Sequence, residues 1–485
     1  MTGRSTTTPS SRPAWDLVVV GGGTAGIVTA KTAVALGARV IMVERDRPGG
    51  DCLWTGCVPS KTLLSAAHAA ADARAAARFG IHADQVHVDF AEVMARVFAA
   101  IASVEPADSP ETLRAAGVHV LRGTAEFTGR QSVRVDGDEI RFRQAMVATG
   151  ASPLVPPIPG LVDVSPLTSE TVWDLEKLPG RLVVVGGGSV GCELGQAFAR
   201  LGSQVTIVDA AARLLPREDN EAADLLTAQL RSDGIIVHTG LAADAIVTAD
   251  SHRSLRLADG TEVGFDEILV AVGRRPRTTG LALERAGVDV DQAGFVLVDR
   301  RLRTSNRRIF AAGDVTRLSQ FTHTAGVHAS IAASNAVLGL RRSIDPATAP
   351  RVTFTQPEIA AVGLDRDQAE RDGLTVATTY HDDVDRAQAE DSTRGFSRLV
   401  LDRRGRVVGA TIVSPRAGES LAEVTLAVRH GLRAQDLAGA THPYPTYSDG
   451  VWKTSVDQVR LRLERPALRG LTEALGRGRR WWVSR

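Results

Sequence analysis

Apolar residues in this chain gather in short unbroken runs, each closed by glycine. Asp16-Leu17-Val18-Val19-Val20 meets Gly21-Gly22-Gly23-Thr24-Ala25-Gly26 at once. An alanine-rich stretch then leads to Leu36-Gly37, and a second run, Val40-Ile41-Met42-Val43, closes on Glu44. Runs of this length bounded by turn residues predict strands buried on both faces, with a helix between them. The pattern recurs from Arg181 to Val185, through Gly186-Gly187-Gly188-Ser189-Val190-Gly191 and Leu201-Gly202, to Val205-Thr206-Ile207-Val208-Asp209. First glycine and strand-end acid are 23 residues apart in both copies (21 to 44, 186 to 209). Two such units in one register predict two dinucleotide-binding βαβ folds. Gly21, Gly23 and Gly26, or Gly186, Gly188 and Gly191, let the backbone approach a pyrophosphate. Helix starts at Thr24-Ala25 or Ser189-Val190 meet its charge, and Glu44 or Asp209 holds ribose hydroxyls.

Between the units, Lys61 to about Leu113 predicts long alanine-rich helices, and Val118 to Val135 predicts short strands. Gln144 to Val147 is a strand running into Ala148-Thr149-Gly150, and the five prolines between Ala151 and Pro166 mark a domain boundary. Ile268 to Val272 is a strand leading to Gly273-Arg274-Arg275-Pro276. From Arg351 the character changes, with strands at Ser397–Leu401 and Val407–Val413 and an amphipathic helix over Leu421–His430. The last twenty residues place Leu468, Leu471 and Leu475 at helical spacing among arginines, followed by Trp481-Trp482. A solvated or dimer-packed tail is the plainer reading, and a weak membrane-surface contact the sharper one.

At 485 residues the chain is too long for one core. A formal net charge of +1 gives no basis for a nucleic-acid partner. Three cysteines do not make a secreted disulfide scaffold and suit a reducing, cytoplasmic compartment. Met1 to Pro13 is Ser/Thr/Pro-rich without an apolar run, so it predicts a disordered arm rather than a signal peptide, and no later run is long enough to cross a bilayer.

Two of those cysteines lie in Gly49-Gly50-Asp51-Cys52-Leu53-Trp54-Thr55-Gly56-Cys57-Val58-Pro59-Ser60-Lys61, a predicted loop entering a helix. A thiolate at a helix start sits in a positive field that favours attack chemistry, and a second cysteine nearby can close and reopen a disulfide. A metal site would need further ligands, and His68 is the one candidate nearby, so a redox pair is favoured and no metal is assigned.

This run resembles the redox segment of the pyridine nucleotide-disulfide oxidoreductases of the Cys-x4-Cys class, matching every fixed position of Gly-Gly-x-Cys-x4-Cys-x-Pro-Ser/Thr-Lys. The resemblance spans about Trp15 to Leu463. It implies an α/β protein with two Rossmann-like domains, for FAD and NAD, and a C-terminal α+β dimerisation domain. The implied division is a 1–14 arm, an FAD domain over 15–155 and 279–348, an NAD(P) domain over 156–278, a dimerisation domain over 349–465 and a basic amphipathic tail over 466–485. Cys57 would face the flavin, Cys52 would exchange with substrate, and Lys61 would lie near the flavin's reactive nitrogen, paired with Glu193. Gly50, Asp51, Thr149, Gly150, Gly313 and Asp314 join the FAD set, and Gly273 the NAD set. The implied assembly is a homodimer whose interface domain lends residues to the partner's site.

The match breaks near the C-terminus. Family disulfide reductases carry His-Pro-Thr-x-x-Glu, whereas this chain has His442-Pro443-Tyr444-Pro445-Thr446-Tyr447-Ser448-Asp449. Aligned on Pro445-Thr446, Tyr444 takes the catalytic histidine's place and Asp449 the glutamate's, with His442 as the other base in reach. Tyrosine here is shared with mercuric reductases, but their C-terminal cysteine pair has no counterpart, since no cysteine follows Cys192. Asp209 favours NADH over NADPH, because a carboxylate accepts from a 2′-hydroxyl and repels a 2′-phosphate, although Arg213 lies four residues on. The expected activity passes electrons from NADH to FAD, then to Cys52–Cys57 and a disulfide or soft metal acceptor. Two readings compete with it, an NAD(P)H:quinone reductase that uses the flavin directly and a docking subunit of a multienzyme complex.

Overall fold

The structure, a computed structural model, describes residues 14–83, 85–249, 252–318 and 320–484. The arm expected over 1–14 therefore lies, apart from Ala14, outside the described residues.

Two parallel sheets are built to one plan. In the first, Trp15–Val20 is flanked by Val40–Glu44 and Asp138–Val147, with His119–Arg122 beyond one neighbour and Ile309–Ala311 beyond the other. In the second, Arg181–Val185 lies between Gln204–Asp209 and Glu267–Val270, with Ile236–Thr239 outermost. Leu17–Val20 and Leu182–Val185 of the two central strands are unbroken apolar runs because both sheet faces are covered there. Leu17 and Val19 pack beneath the helices Thr24–Ala35 and Thr322–Leu338, which meet through alanines such as Ala25, Ala30, Ala325 and Ala329. Val18 and Val20 face the antiparallel strands Ala125–Gly129 and Ser132–Val135. The second sheet repeats this, with helices Ser189–Leu201 and Asn220–Ser232 on one face and the antiparallel strands Ala243–Ala249, His252–Leu257 and Glu262–Phe265 on the other.

The helices expected over 61–113 are three pieces: Cys57–Ala75, Phe90–Val104 and Pro110–Ala115. The side chain of Asp89 caps the second piece by accepting from Glu92 N, and Ser109 caps the third. Leu63, Leu64 and Ala67 of the first piece pack with Leu194 and Phe198 of the second unit, so the cysteine-bearing helix belongs to both halves. A short ribbon, Ala151–Pro153 against Arg274–Pro276, pairs the chain leaving the first sheet with the chain returning from the second. From Arg351 a five-stranded antiparallel sheet, in the order 351–353, 358–363, 407–414, 396–401 and 375–380, packs against helices Ala417–His430 and Asp449–Leu463. Among the described residues, no helix is long and apolar enough to cross a membrane.

A buried cation locks this last sheet to the second unit. Arg398, 2% exposed, donates to Asp219 Oδ2 at 2.7 Å and to Glu221 Oε2 at 2.6 Å. Asp219 also caps the helix Asn220–Ser232 by accepting from Glu221 N and Ala222 N. Removing one partner of such a pair strands the other charge in the interior. Arg398→Ala is expected to cost about 3–5 kcal/mol in a urea unfolding titration. Arg366→Ala, which removes a half-exposed arm of the same cluster, is expected to cost under about 1 kcal/mol.

Candidate active site

A cavity of about 430 Å³ opens at the carboxyl edge of the first sheet. Gly21, Gly23, Thr24, Ala25, Glu44, Gly50, Asp51, Thr149, Gly150, Gly313 and Asp314 all line it. Gly21 turns the chain at φ +106°, and a Cβ there would lie 2.4 Å from the Ala148 carbonyl oxygen if its distance were built ideally, so the turn excludes any side chain. Gly26 does not line the cavity; a Cβ on it would collide with the Gly21 carbonyl, so it sets how closely the helix meets the strand. Nothing lies within 4 Å of a Cβ built on Gly150, and a side chain there would occupy the cavity itself. Glu44 is fixed from below, accepting from Gly22 N at 2.6 Å and Asp46 N at 2.9 Å.

The second unit repeats these contacts. Gly186 turns at φ +113°, a Cβ on Gly191 would collide with the Gly186 carbonyl, and Asp209 accepts from Gly187 N at 2.5 Å and Ala211 N at 2.7 Å. Gly188 and Gly273 face open space, and Ser189 starts the helix, held by Thr353 Oγ1 at 3.0 Å, with Val190 exposed beside it. The middle glycines, Gly22 and Gly187, were not among the residues singled out from sequence. Their signal was present, since each amide meets the acid that ends the next strand.

Cys52 also lines the cavity. It sits in a one-turn helix, Gly50–Trp54, rather than the expected loop, and Cys57 opens the helix Cys57–Ala75. Cys52 and Cys57 are both free cysteines here. Cys57 Sγ lies 3.1 Å from Thr322 Oγ1, and Thr322 begins the helix Thr322–Leu338, so two helix N-termini converge on this sulfur. The Cys57 pKa is lowered to about 6, first by the hydrogen bond from Cys52 and then by Thr322 and the Lys61 charge, against the cost of burial. The same hydrogen bond, with burial, pushes the Cys52 thiol up. The pair thus holds one proton, on Cys52.

One turn on, Lys61 Nζ lies 2.6 Å from Glu193 Oε2 and 4.2 Å from the centre of the Phe354 ring. The other Glu193 oxygen accepts from Phe354 N at 2.9 Å. Cys192 is fully buried, and burial pushes its thiol well up.

Two further groups at the cavity, Glu170 and Arg277, and a third in contact with its lining, Arg274, came from distant segments. Arg274 pairs with Asp51 and, at 3.3 Å, with Asp314, while Arg277 joins Asp51 to Glu170. Burial raises the Asp314 carboxyl, with Arg274 opposing. Arg274 was visible beside Gly273 in the sequence, but nothing local connected it to Asp51.

The C-terminal loop stands apart. Tyr444 is 71% exposed and its hydroxyl donates to Asp385 at 2.5 Å. Asp449 is buried and accepts from Thr446 N at 3.2 Å, so the carboxylate that orients Tyr444 is Asp385 and not Asp449. His442 has both ring nitrogens engaged, Nε2 with Glu423 at 2.9 Å and Nδ1 with Ala440 O at 3.1 Å. Among the described residues, no recorded hydrogen bond or ion pair ties this loop to the cysteine pair.

Comparison with known proteins follows the same outline. The family model described as pyridine nucleotide-disulphide oxidoreductase matches residues 15–329, and that family's dimerisation domain matches residues 349–455. A mercuric reductase of Bacillus cereus is 36% identical over 443 residues, covering 90% of this chain and 70% of the relative. A dihydrolipoyl dehydrogenase of Thermus scotoductus is 36% identical over 463 residues, covering 91% and 96%. Among solved structures, the Cu(II) complex of the HOCl-induced flavoprotein disulfide reductase RclA from Escherichia coli aligns with TM-score 0.81 at 29% identity, covering 92% of this chain and 99% of that one. LpdA from Mycobacterium tuberculosis aligns with TM-score 0.84 at 28% identity, covering 91% and 99%.

The thiolate is measurable directly. Iodoacetamide labelling of the reduced protein, mapped by peptide, is expected to modify Cys57 with a rate that rises through about pH 6 and levels off above it. Below that pH the thiolate is protonated and labelling fades. Thr322→Val is expected to move the inflection up by roughly half to one unit, the worth of one hydrogen bond of about 1 kcal/mol.

Proposed function

The chain belongs to the pyridine nucleotide-disulphide oxidoreductases, and we propose that it is an FAD-dependent reductase that oxidises NADH and delivers electrons through Cys52 and Cys57 to a disulfide or a soft metal ion. The observation that carries this reading is the placement of Cys52 on the wall of a glycine-lined cavity, with Cys57 opening the next helix and its sulfur 3.1 Å from Thr322 Oγ1. The residues fit FAD. Gly21, Gly23 and the helix start at Thr24-Ala25 would hold its pyrophosphate, Glu44 its ribose and Asp314 its ribityl chain. Bound there, FAD supplies a two-electron couple that takes a hydride from NADH and reduces an adjacent disulfide.

The chain's own groups do the rest. Lys61, held by Glu193, keeps a positive charge one helical turn from Cys57 and favours the thiolate. Cys52 keeps the exchangeable proton. When Cys52 attacks an acceptor its proton must leave the pair, because a Cys57 sulfur whose pKa lies near 6 is too weak a base to take it. The Asp209 carboxylate, fixed by two amides, accepts from a ribose hydroxyl and repels a 2′-phosphate, which supports NADH over NADPH.

The domain division stated from sequence accompanies this reading, with the FAD domain formed by 15–155 and 279–348 and the NAD domain by 156–278. So does a homodimer through 349–465, in which Tyr444 of one subunit faces the cysteine pair of the other. The high exposure of Tyr444 and the matched dimerisation domain support that arrangement. A soft metal ion as acceptor is supported by the relatives named mercuric reductase and by the Cu(II) complex of RclA.

Anaerobic titration of the flavin-loaded protein with NADH is expected to produce a long-wavelength absorption band, with a KM about tenfold lower than for NADPH. In an acceptor panel of lipoamide, glutathione disulfide, Hg(II), Cu(II) and quinones, Cys57→Ser is expected to lower disulfide or metal reduction by about a hundredfold or more while quinone reduction persists. Metal or disulfide turnover that survives Cys57→Ser would remove the cysteines from the path.

A further inference from the structure

The C-terminal helix Pro466–Val483 stands out from the body of the protein. Of residues 466–484 with described burial, all but Leu468 and Gly476 are exposed. At about 100° per residue, Leu468, Leu471, Leu475 and Trp482 fall within roughly 60° of the helix circumference. Leu471 is 55% exposed, Leu475 64% and Trp482 64%, so this stripe faces outward. Arg469, Arg477 and Arg480 occupy the opposite side. Arg479, at the edge of the stripe, lies over the Trp482 ring at 4.5 Å, a position from which its stem can cover apolar surface while its charge reaches outward.

The charge is as uneven as the polarity. In a chain of formal net charge +1, the last twenty residues carry five arginines and one glutamate. Gly470, Gly476 and Gly478 weaken the helix's intrinsic stability, and nothing in the body compensates along the exposed stripe. An apolar stripe backed by a cationic face complements a surface that is apolar below and anionic above.

We propose that this helix docks the enzyme on anionic lipid surfaces, lying in the interface with Leu468, Leu471, Leu475 and Trp482 inserted and the arginines among the headgroups. The leucine stripe selects lipid over a soluble polyanion, because arginines alone would bind either.

The test is co-sedimentation of the full-length, flavin-loaded protein with phosphatidylglycerol/phosphatidylcholine vesicles and with pure phosphatidylcholine vesicles. At physiological salt, partition onto the anionic vesicles is expected to be at least about tenfold stronger and to fall as salt rises. Leu471→Glu/Leu475→Glu and Arg477→Glu/Arg480→Glu are each expected to abolish it, as is truncation after Arg465, with NADH oxidation rates unchanged in all three. Absence of binding to anionic vesicles overturns the proposal. So does equal binding by the leucine variant, which would make the arginines a general polyanion patch. A change of oligomeric size in the leucine variant by gel filtration also overturns it, because the stripe would then be covered by a second copy of the chain.

Discussion

The contact on which the rest of the architecture turns is the ion pair of Lys61 with Glu193. Its two partners lie on different dinucleotide-binding units, and the free carboxylate oxygen accepts from Phe354 N at the entry to the C-terminal sheet. Three segments separated by more than a hundred residues each are thus fixed at one buried carboxylate. Glu193 is 7% exposed whereas the Lys61 side chain keeps 37% of its exposure, so it is removal of Lys61 that would strand an uncompensated charge in the interior. The pair therefore enforces registry between the halves, and it does so one helical turn from the reactive sulfur. Packing of the cysteine helix against Leu194 and Phe198 supplies the apolar complement of the same junction.

Around that node the chemistry is built from backbone more than from side chains. Each unit closes its glycine turn onto a neighbouring carbonyl and draws the next strand's acid beneath the middle glycine. The cysteine site places one sulfur at the N-termini of two helices that start 265 residues apart in the chain. Positive charge is then delivered by Lys61 and by oriented amides together, and amide dipoles fixed in this way need no reorganisation when negative charge develops.

What the sequence shows, and what it hides, follows from the range of each contact. The glycine runs, strand-end acids and Cys-x4-Cys segment are local patterns, legible because every member lies within one βαβ unit or one helix start. Gly26 and Gly191 belong to that pattern although they serve helix–strand packing and not the cavity. Thr322 carries no local mark of its role, since its partner Cys57 is 265 residues away. Arg274 and Arg277 meet Asp51 only once the chain returns from the second unit. The orienting carboxylate of Tyr444 was assigned to Asp449 by linear spacing. In space the neighbouring helix start at Asp385 reaches the hydroxyl first, while Asp449 is consumed in closing its own turn on Thr446.

Among the described residues no histidine hydrogen-bonds to either thiol, and the thiolate character of the pair is set by the groups around Cys57. A general base is required where the attacking thiol must be deprotonated by something else. Here Cys57, lowered to about 6, is the resident thiolate, whereas Cys52, pushed up by its neighbour and by burial, still needs a base for its proton. His442, the nearby imidazole, is committed to Glu423 and Ala440 and has no free ring nitrogen. Tyr444, raised above its ordinary pKa by its hydrogen bond to Asp385, stays a neutral phenol at pH 7. Its single O–H is already given to Asp385, so as the loop stands neither His442 nor Tyr444 has a free site with which to take the Cys52 proton.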